Sequence, residues 1–224
     1  DVESLSVRLG PAGTRAWLAR CAGARAAWFG PGAWQPPMDE RARRLVGLGA
    51  EETLDVLADW CSDEHFDSSA LRQVADAYDA WGAASGRSYI EAINAWLALE
   101  APARLERAGA LADSLFNAEG KLKYLKNITK AAPDIEATGD DLLEGLQFIA
   151  AKRALFDLVH FLVPALATGR RFALAWEEAK AREGLVDFDD LIRMAAGLLD
   201  TPALGEWIRY KLDRRFDHVL IDEA

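Results

Sequence analysis

Two adjacent carboxylates, Asp222 and Glu223, are the residues whose type and position could do chemistry. They follow the apolar run 219–221 directly, a pattern that predicts a short buried strand with both acids at its C-terminal tip. Ligands of open α/β sheets bind at that tip. There, Asp222 could hold the water shell of a Mg²⁺ ion bound to nucleotide phosphates, and Glu223 could orient or deprotonate the attacking water. An ordinary strand that ends in an acidic turn fits the same residues.

The sequence stops one residue after Glu223 and begins at Asp1. Because a folded domain rarely ends on a buried strand tip, we expect the chain to be a piece of a longer protein. Such a piece carries only part of a nucleotide site.

The composition indicates a folded protein without a membrane span. Apolar residues make up 51% of the chain, charged residues 28%, and eight residues are tryptophan. No apolar run approaches the length of a membrane span and no basic leader precedes one, so a cytoplasmic location is expected. Cys21 and Cys61 lie in helical patterns without a CxxC motif, which favours buried free thiols over a zinc site.

Apolar residues recur at helical spacing along almost the whole chain, and the first two hundred residues show no strand-like alternation. The sequence therefore predicts an all-α, multi-helix domain over residues 1–216, followed by a single short strand in 217–224. Within the longest pattern, Pro164 predicts a break or kink, and Thr138 predicts a helix start. His160 is expected to line the core, since no acid or thiol partner is identifiable for catalysis.

Residues 121–130 form the one concentrated basic segment of an acidic chain, whose net charge is −10. On a helix, Lys123, Lys126 and Lys130 would share one face, and Tyr124 could stack on a base. A phosphate-tracking strip is one interpretation. A solvated lysine face on an amphipathic helix is the other. The net charge argues against a general nucleic-acid binder but leaves room for a local basic strip.

Three acids fall within four residues at Asp187, Asp189 and Asp190. Asp187 suits the N-cap of a helix, and Asp190 stands three residues on, as in a capping box. The same carboxylates could instead bind a metal ion. Backbone N–H groups at a helix start already satisfy such acids, which favours the cap.

Two segments, in this order, carry a resemblance to a known family. The first is 184–192 (GLVDFDDLI), which follows the helical residues 177–180; the second is 215–224 (RFDHVLIDEA). With two helices between them, they resemble the end of the accessory helical domain and the nucleotide-site strand of UvrD/Rep-type superfamily 1 DNA helicases. Within that group they are most similar to AddA, the helicase-nuclease subunit of bacterial double-strand-break repair complexes. Trp176 stands where tyrosine is expected, and residues 1–135 match only as a helix-rich region of plausible size.

The resemblance implies that Asp222 and Glu223 are the Walker B acids of motif II, serving Mg²⁺ and water activation during ATP hydrolysis. Residues 1–216 would be a 1B-like accessory domain that lies against DNA, and 217–224 a strand of the RecA-like domain 1A, whose sheet is absent from this chain. DNA and the partner subunit of an AddAB-like complex are the implied partners, with exonuclease activity in the same complex. The sequence contains no Gly-x-x-x-x-Gly-Lys-Ser/Thr loop, so the chain alone is expected to be inactive as an ATPase.

Two other interpretations remain open. A DEAD- or DEAH-box RNA helicase fragment could also end in an apolar run and two acids, although those enzymes reach the acids through alternating strands and helices. Alternatively, the chain is a non-enzymatic helical interaction module in which the ending Ile221–Ala224 occurs by chance.

Overall fold

The computed structural model describes residues 2–213, apart from the side chains of Ala203 and Asp213. The predicted all-α architecture is confirmed for this range, which contains no sheet. Phe116 and Leu122 form an isolated antiparallel β-bridge. The predicted strand in 217–224, with Asp222 and Glu223, lies outside the described residues. In chain order the helices of residues 2–213 are α1 (Val2–Gly23), α2 (Arg25–Phe29), α3 (Asp39–Leu45), α4 (Leu54–Asp59), α5 (Ser68–Trp81), a 3₁₀ turn (Ala84–Gly86), α6 (Arg87–Leu97), α7 (Ala101–Leu115), α8 (Leu125–Ile128), α9 (Ile135–Glu183), α10 (Phe188–Asp200) and α11 (Pro202–Asp213).

The described residues form two compact units. We call Trp34–Thr168 the central unit, and Val2–Ala33 together with the described residues from Gly169 onward the terminal unit. The sequence patterns indicated one helical domain and did not reveal this division. Helix α9 supplies residues to both units.

The core of the central unit is built by the amphipathic helices α5, α6 and α7, with α4, α8 and the first part of α9. Its fully buried side chains include those of Leu71, Tyr78, Ile93 and Leu146. Most of the apolar positions that the sequence placed on the helix stripes face this core. Hydrophobic burial of this kind is the main stabilising term of a helical domain.

A buried arginine ties three helices of the central unit together. The Arg104 guanidinium on α7 donates to the carbonyl oxygen of Cys61, just after α4, at 3.1 Å, and to that of Leu97, the last residue of α6, at 2.5 Å. It also pairs with Asp63 at 2.7 Å. Carbonyl groups at helix C-termini lack partners within the helix. Arg104 therefore satisfies two helix ends at once, and its ion pair with Asp63 lowers the pKa of that carboxyl.

Of the break or kink predicted at Pro164, the break is wrong, because helix α9 continues through that residue. Proline removes one backbone hydrogen bond and normally costs a helix about 3 kcal/mol or more. Val159 before it and Ala165 after it are both buried, and this packing can offset the cost. The predicted helix start at Thr138 is also wrong, because α9 begins at Ile135.

His160 is exposed on α9, so the prediction that it lines the core is wrong. Its neighbour Val159 takes the buried position instead. The helical spacing correctly predicted that this segment is a helix. At the border of the apolar face, however, the sequence pattern locates a buried position only to within about one residue.

In the terminal unit, α1 packs closely on α9. The backbone of α1 bends at Gly10, where φ is 69°, and Pro11 starts the following segment. Gly169 of α9 faces Cys21, and a Cβ atom at Gly169 would lie 2.4 Å from the Cys21 Sγ. The Trp28 indole N–H donates to the carbonyl oxygen of Cys21 at 2.6 Å. Cys21 and Cys61 are both buried and free, as predicted.

Replacing Gly169 with alanine is expected to lower the free energy of unfolding by about 1–2 kcal/mol, because overpacking against Cys21 outweighs the gain in helix propensity. The matched control is Gly197→Ala in the same unit: Gly197 is also helical, but its added methyl group would meet nothing within 4 Å. That change should raise the free energy by up to about 1 kcal/mol. Urea denaturation of both variants measures the difference, and equal stabilities would contradict the close contact.

Helices α10 and α11 leave many apolar side chains exposed. On α10 the side chain of Phe188 is 78% exposed and that of Ile192 is 59% exposed, and Leu191, Met194 and Leu198 are also exposed. Trp207 and Tyr210 are exposed on α11. We call the five α10 residues the apolar face of α10. Contiguous exposed apolar residues of this extent are uncommon on soluble monomers.

None of the helices described between residues 2 and 213 has both the length and the apolar character needed to cross a bilayer.

Candidate functional site

Segment 184–192, the first of the two that carry the resemblance, forms the turn after α9 and the first residues of α10. One lysine holds this turn in place. The Lys180 ammonium, near the end of α9, lies 2.6 Å from Asp187 Oδ2, 2.8 Å from Asp190 Oδ2 and 2.8 Å from Glu177 Oε1. Gly184, with φ of 65°, supplies the left-handed residue that reverses the chain after α9. We call these four charged residues the Lys180 joint.

The predicted capping box at the start of α10 is confirmed. Asp187 Oδ1 accepts a hydrogen bond from the Asp190 N–H at 2.9 Å, and Asp190 Oδ2 accepts one from the Asp187 N–H at 3.1 Å. The Lys180 ammonium occupies the position between the carboxylates that a cation would take. In residues 2–213 no group of His, Cys, Asp and Glu is arranged to hold a metal ion. The acids of 187–190 therefore serve the cap and the lysine.

The ionisation of the Lys180 joint follows from its contacts. Hydrogen bonds from Lys180 are the largest cause that holds the pKa values of Asp187 and Asp190 below their usual range, and backbone N–H donors add to it. Burial alone would lower the pKa of Lys180, but hydrogen bonds to Asp187, Asp190 and Glu177 outweigh it and raise that pKa. Lys180, Asp187 and Asp190 are charged at neutral pH as a result.

A cavity of about 370 Å³ lies beside the Lys180 joint within the terminal unit. Its apolar wall includes Leu18, Phe172 and Trp176, and the last two rings stack with centroids 6.5 Å apart. Its charged wall contains four cations and four acids: Arg15, Arg25, Lys180, Arg193, Glu177, Asp187, Asp189 and Asp190. Arg25 pairs with Glu177 and Arg193 with Asp190. The formal charges of this wall sum to zero.

The predicted basic helix over 121–130 is wrong. Helix α8 covers only Leu125–Ile128, and Tyr124 ahead of it has φ of 59°, in the left-handed region. The chain makes a tight loop after α7: the Asn117 side chain accepts from the N–H of Lys121 at 2.9 Å, and the Lys123 N–H donates to Leu115 O at 2.9 Å. Side chain and backbone bonds of this loop compete with a continuous helix and win.

The lysines of this segment are therefore not one strip. Lys121 pairs with Asp140 at 2.9 Å and Glu136 at 3.1 Å. The Lys123 ammonium donates to the carbonyl oxygens of Asp113 and Ser114, both at 2.8 Å, in the last turn of α7, where cations are favourable. Lys126 and Lys130 are exposed, and neither forms an ion pair with another residue in 2–213. Two of the three predicted lysines, not all three, can contact a phosphate without giving up a bond.

Tyr124 belongs to an aromatic cluster that the sequence did not reveal. Its ring centroid lies 5.1 Å from that of Trp81 and 6.1 Å from that of Tyr89, and the Tyr89 ring stacks on Tyr78 at 4.8 Å. Tyr78 is buried, and its hydroxyl donates to Lys123 O at 2.8 Å. Tyr124 is 49% exposed. The cluster joins the end of α5, the start of α6 and a loop far along the chain, so no local spacing could have indicated it.

Asp222 and Glu223, the predicted nucleotide-site acids, lie outside the described residues. When the chain was compared with known proteins, no family model, no curated protein and no solved structure matched it.

Proposed function

We propose that this chain is the helical accessory region of an ATP-dependent DNA helicase of the UvrD/Rep type, most similar to AddA, extending to the nucleotide-site strand. The proposal includes action on DNA in the cytoplasm, in double-strand-break repair, together with the partner subunit of an AddAB-like complex. The chain itself contributes contacts to DNA.

The Lys180 joint is the observation that carries the proposal. Asp187 and Asp190, two of the three aspartates in 184–192, lie seven and ten residues from Lys180 in the sequence, yet both contact its ammonium group. Residues of the string that carries the resemblance thus lie together in space, which supports the proposal. Helices α10 and α11 follow it, as the resemblance requires before a nucleotide-site strand.

In such a helicase, Asp222 would hold the water shell of Mg²⁺ and Glu223 would orient the attacking water, as the resemblance implies. The chain lacks a phosphate-binding glycine-lysine loop, so ATP binding must rely on residues that this sequence does not contain. The accessory region would hold DNA in place during ATP hydrolysis and would not touch the nucleotide.

The proposal is tested by measuring Mg²⁺-dependent ATP hydrolysis of the complete protein with and without DNA. We expect turnover that rises at least severalfold on adding DNA. The 224-residue chain at the same concentration should show none, because it lacks the phosphate loop. A complete protein that hydrolyses no ATP, or that responds to RNA and not to DNA, would overturn the proposal.

A further inference from the structure

We propose that the central unit binds single-stranded DNA on an aromatic platform formed by Tyr124, Trp81 and Tyr89, with Lys126 and Lys130 holding the phosphates. This inference rests on the proposed DNA role and deepens it by naming the form of DNA. We call the three rings and two lysines the aromatic platform.

The rings offer a stacking surface at low entropic cost. Tyr124 is about half exposed, whereas Trp81 and Tyr89 are partly buried and support it from 5.1 and 6.1 Å. A base stacked on an aromatic side chain contributes about 1–3 kcal/mol and can be of any type, because every base has a π-face. The platform therefore suits a strand of any sequence.

The backbone that presents Tyr124 is fixed before any ligand binds. The residue ahead of it, Lys123, is held by its carbonyl oxygen, which accepts from the buried Tyr78 hydroxyl, and by its ammonium, which caps α7. Tyr124 itself adopts a left-handed conformation that non-glycine residues rarely take and that the surrounding structure must enforce. Such residues cluster at binding sites, and a fixed ring loses little freedom on binding.

The charge next to the rings matches a strand of phosphates. Lys126 and Lys130 follow Tyr124 on and just after α8, both exposed and without an ion pair in residues 2–213. Lys121 pairs with the neighbouring acids Glu136 and Asp140 and offsets one of their two negative charges. With two phosphate contacts to a single strand, the slope of log K against log salt should be about −1.4.

Single strands fit this arrangement better than a duplex. Base faces are accessible to stacking only where bases are unpaired, and a duplex presents phosphates and groove edges instead. A duplex would be contacted here mainly by two lysines, because the four-residue helix α8 is too short to enter a groove.

The chain supplies a matched control in the same unit. Trp60 and Phe148 also form an exposed stacked pair, with centroids 5.3 Å apart and an interplanar angle of 14°. The cation beside them, Lys152, is already paired with Glu52, and the adjacent Asp59 carboxylate is acidic and exposed. Exposed aromatic area is thus similar at the two places, while free positive charge is present only at the aromatic platform.

The test is fluorescence anisotropy of a labelled twelve-nucleotide oligo-dT, a duplex of the same length and oligo-U, each titrated with the 224-residue chain at low salt. The variant Tyr124→Asn removes the ring and keeps a residue type that tolerates the left-handed conformation, so the fold should survive. We expect its affinity for oligo-dT to fall about tenfold. Tyr124→Phe and Phe148→Ala should stay within twofold of the wild type.

Four results would overturn the inference: no binding of oligo-dT by the wild type, unchanged binding by Tyr124→Asn, tighter binding of the duplex, or tighter binding of oligo-U. Circular dichroism of each variant shows whether it is folded. The outcome is separable from the proposed function, because loss of the platform leaves ATP hydrolysis in the complete protein to be measured independently. A protein without ATPase activity could still bind oligo-dT here.

Discussion

Replacing Glu223 with glutamine in the complete protein is expected to lower kcat for ATP hydrolysis by about a thousandfold, within the range for loss of a general base, while ATP binding changes by less than threefold. The amide has the size of the carboxylate but cannot accept the proton of the attacking water. Asp222 remains in place in this variant, so the Mg²⁺ that accompanies ATP should still be held. Steady-state turnover gives kcat, and binding of a fluorescent ATP analogue gives the affinity.

Glu206→Gln is the control for this experiment. Glu206 lies exposed on α11, in the same chain and of the same residue type, without a predicted role. Its replacement should leave kcat within twofold of the wild type. Normal turnover in Glu223→Gln would refute the role of Glu223 and, with it, the identification of the chain's last residues as motif II.

Replacing Lys180 with methionine is expected to lower the free energy of unfolding by about 2–3 kcal/mol, since it removes the cation that three carboxylates share. The loss is smaller than the usual range of about 3–5 kcal/mol for breaking a buried pair. Asp187 is half exposed, and Asp190, which is only 5% exposed, still pairs with Arg193. Methionine keeps most of the side-chain volume, so lost packing contributes little. Urea denaturation monitored by tryptophan fluorescence measures the change.

The effect of Lys180→Met should depend on pH in a defined direction. The pKa values of Asp187 and Asp190 are lower in the folded chain than in the unfolded chain. The stability that they contribute is therefore complete above the unfolded value of about 4 and is lost as the pH falls below it. The pKa of Lys180 is raised, so its contribution is complete below about 10. The difference between wild type and variant should be constant from about pH 5 to 9 and shrink below pH 4.

Arg182→Met is the matched control for Lys180→Met. Arg182 is two residues further along α9 and pairs with Glu183, but both side chains are more than 60% exposed. Exposed pairs contribute about 0–1 kcal/mol, so the change should be small and nearly independent of pH. Equal losses in the two variants would mean that the Lys180 joint is not a buried charge cluster.

Sequence patterns correctly predicted the features whose interactions join residues close together in the chain. The helical spacing of apolar residues that predicted an all-α chain is present in α5 (Ser68–Trp81), and Gly82 ends this helix in a left-handed conformation. The capping box at Asp187 was predicted because its hydrogen bonds join residues three apart. In both cases the information lies within a few turns of chain.

The features that were missed depend on contacts between distant residues. Proline within a helical pattern predicts a break, but α9 is continuous through Pro164, and Val159 and Ala165 are buried before and after it. Lysines at 123, 126 and 130 have helical spacing, but the bridge between Phe116 and Leu122 directs the chain into a loop. In the aromatic platform, Tyr124 contacts Trp81 and Tyr89, which are far from it in the sequence. In the Lys180 joint, a residue of α9 contacts two residues at the start of α10. Asp222 and Glu223, which carry the predicted chemistry, lie outside the described residues.

The apolar face of α10 has a practical consequence for work with the chain on its own. Phe188 and Ile192 meet water over more than half of their surface, at a free-energy cost of about 25 cal/mol for each Å² left uncovered. Two molecules that bring these faces together recover part of that cost, so self-association will increase with protein concentration. A dye such as ANS will fluoresce on the folded chain. Dilute solutions, or polar replacements at Phe188 and Ile192, will keep the molecules apart.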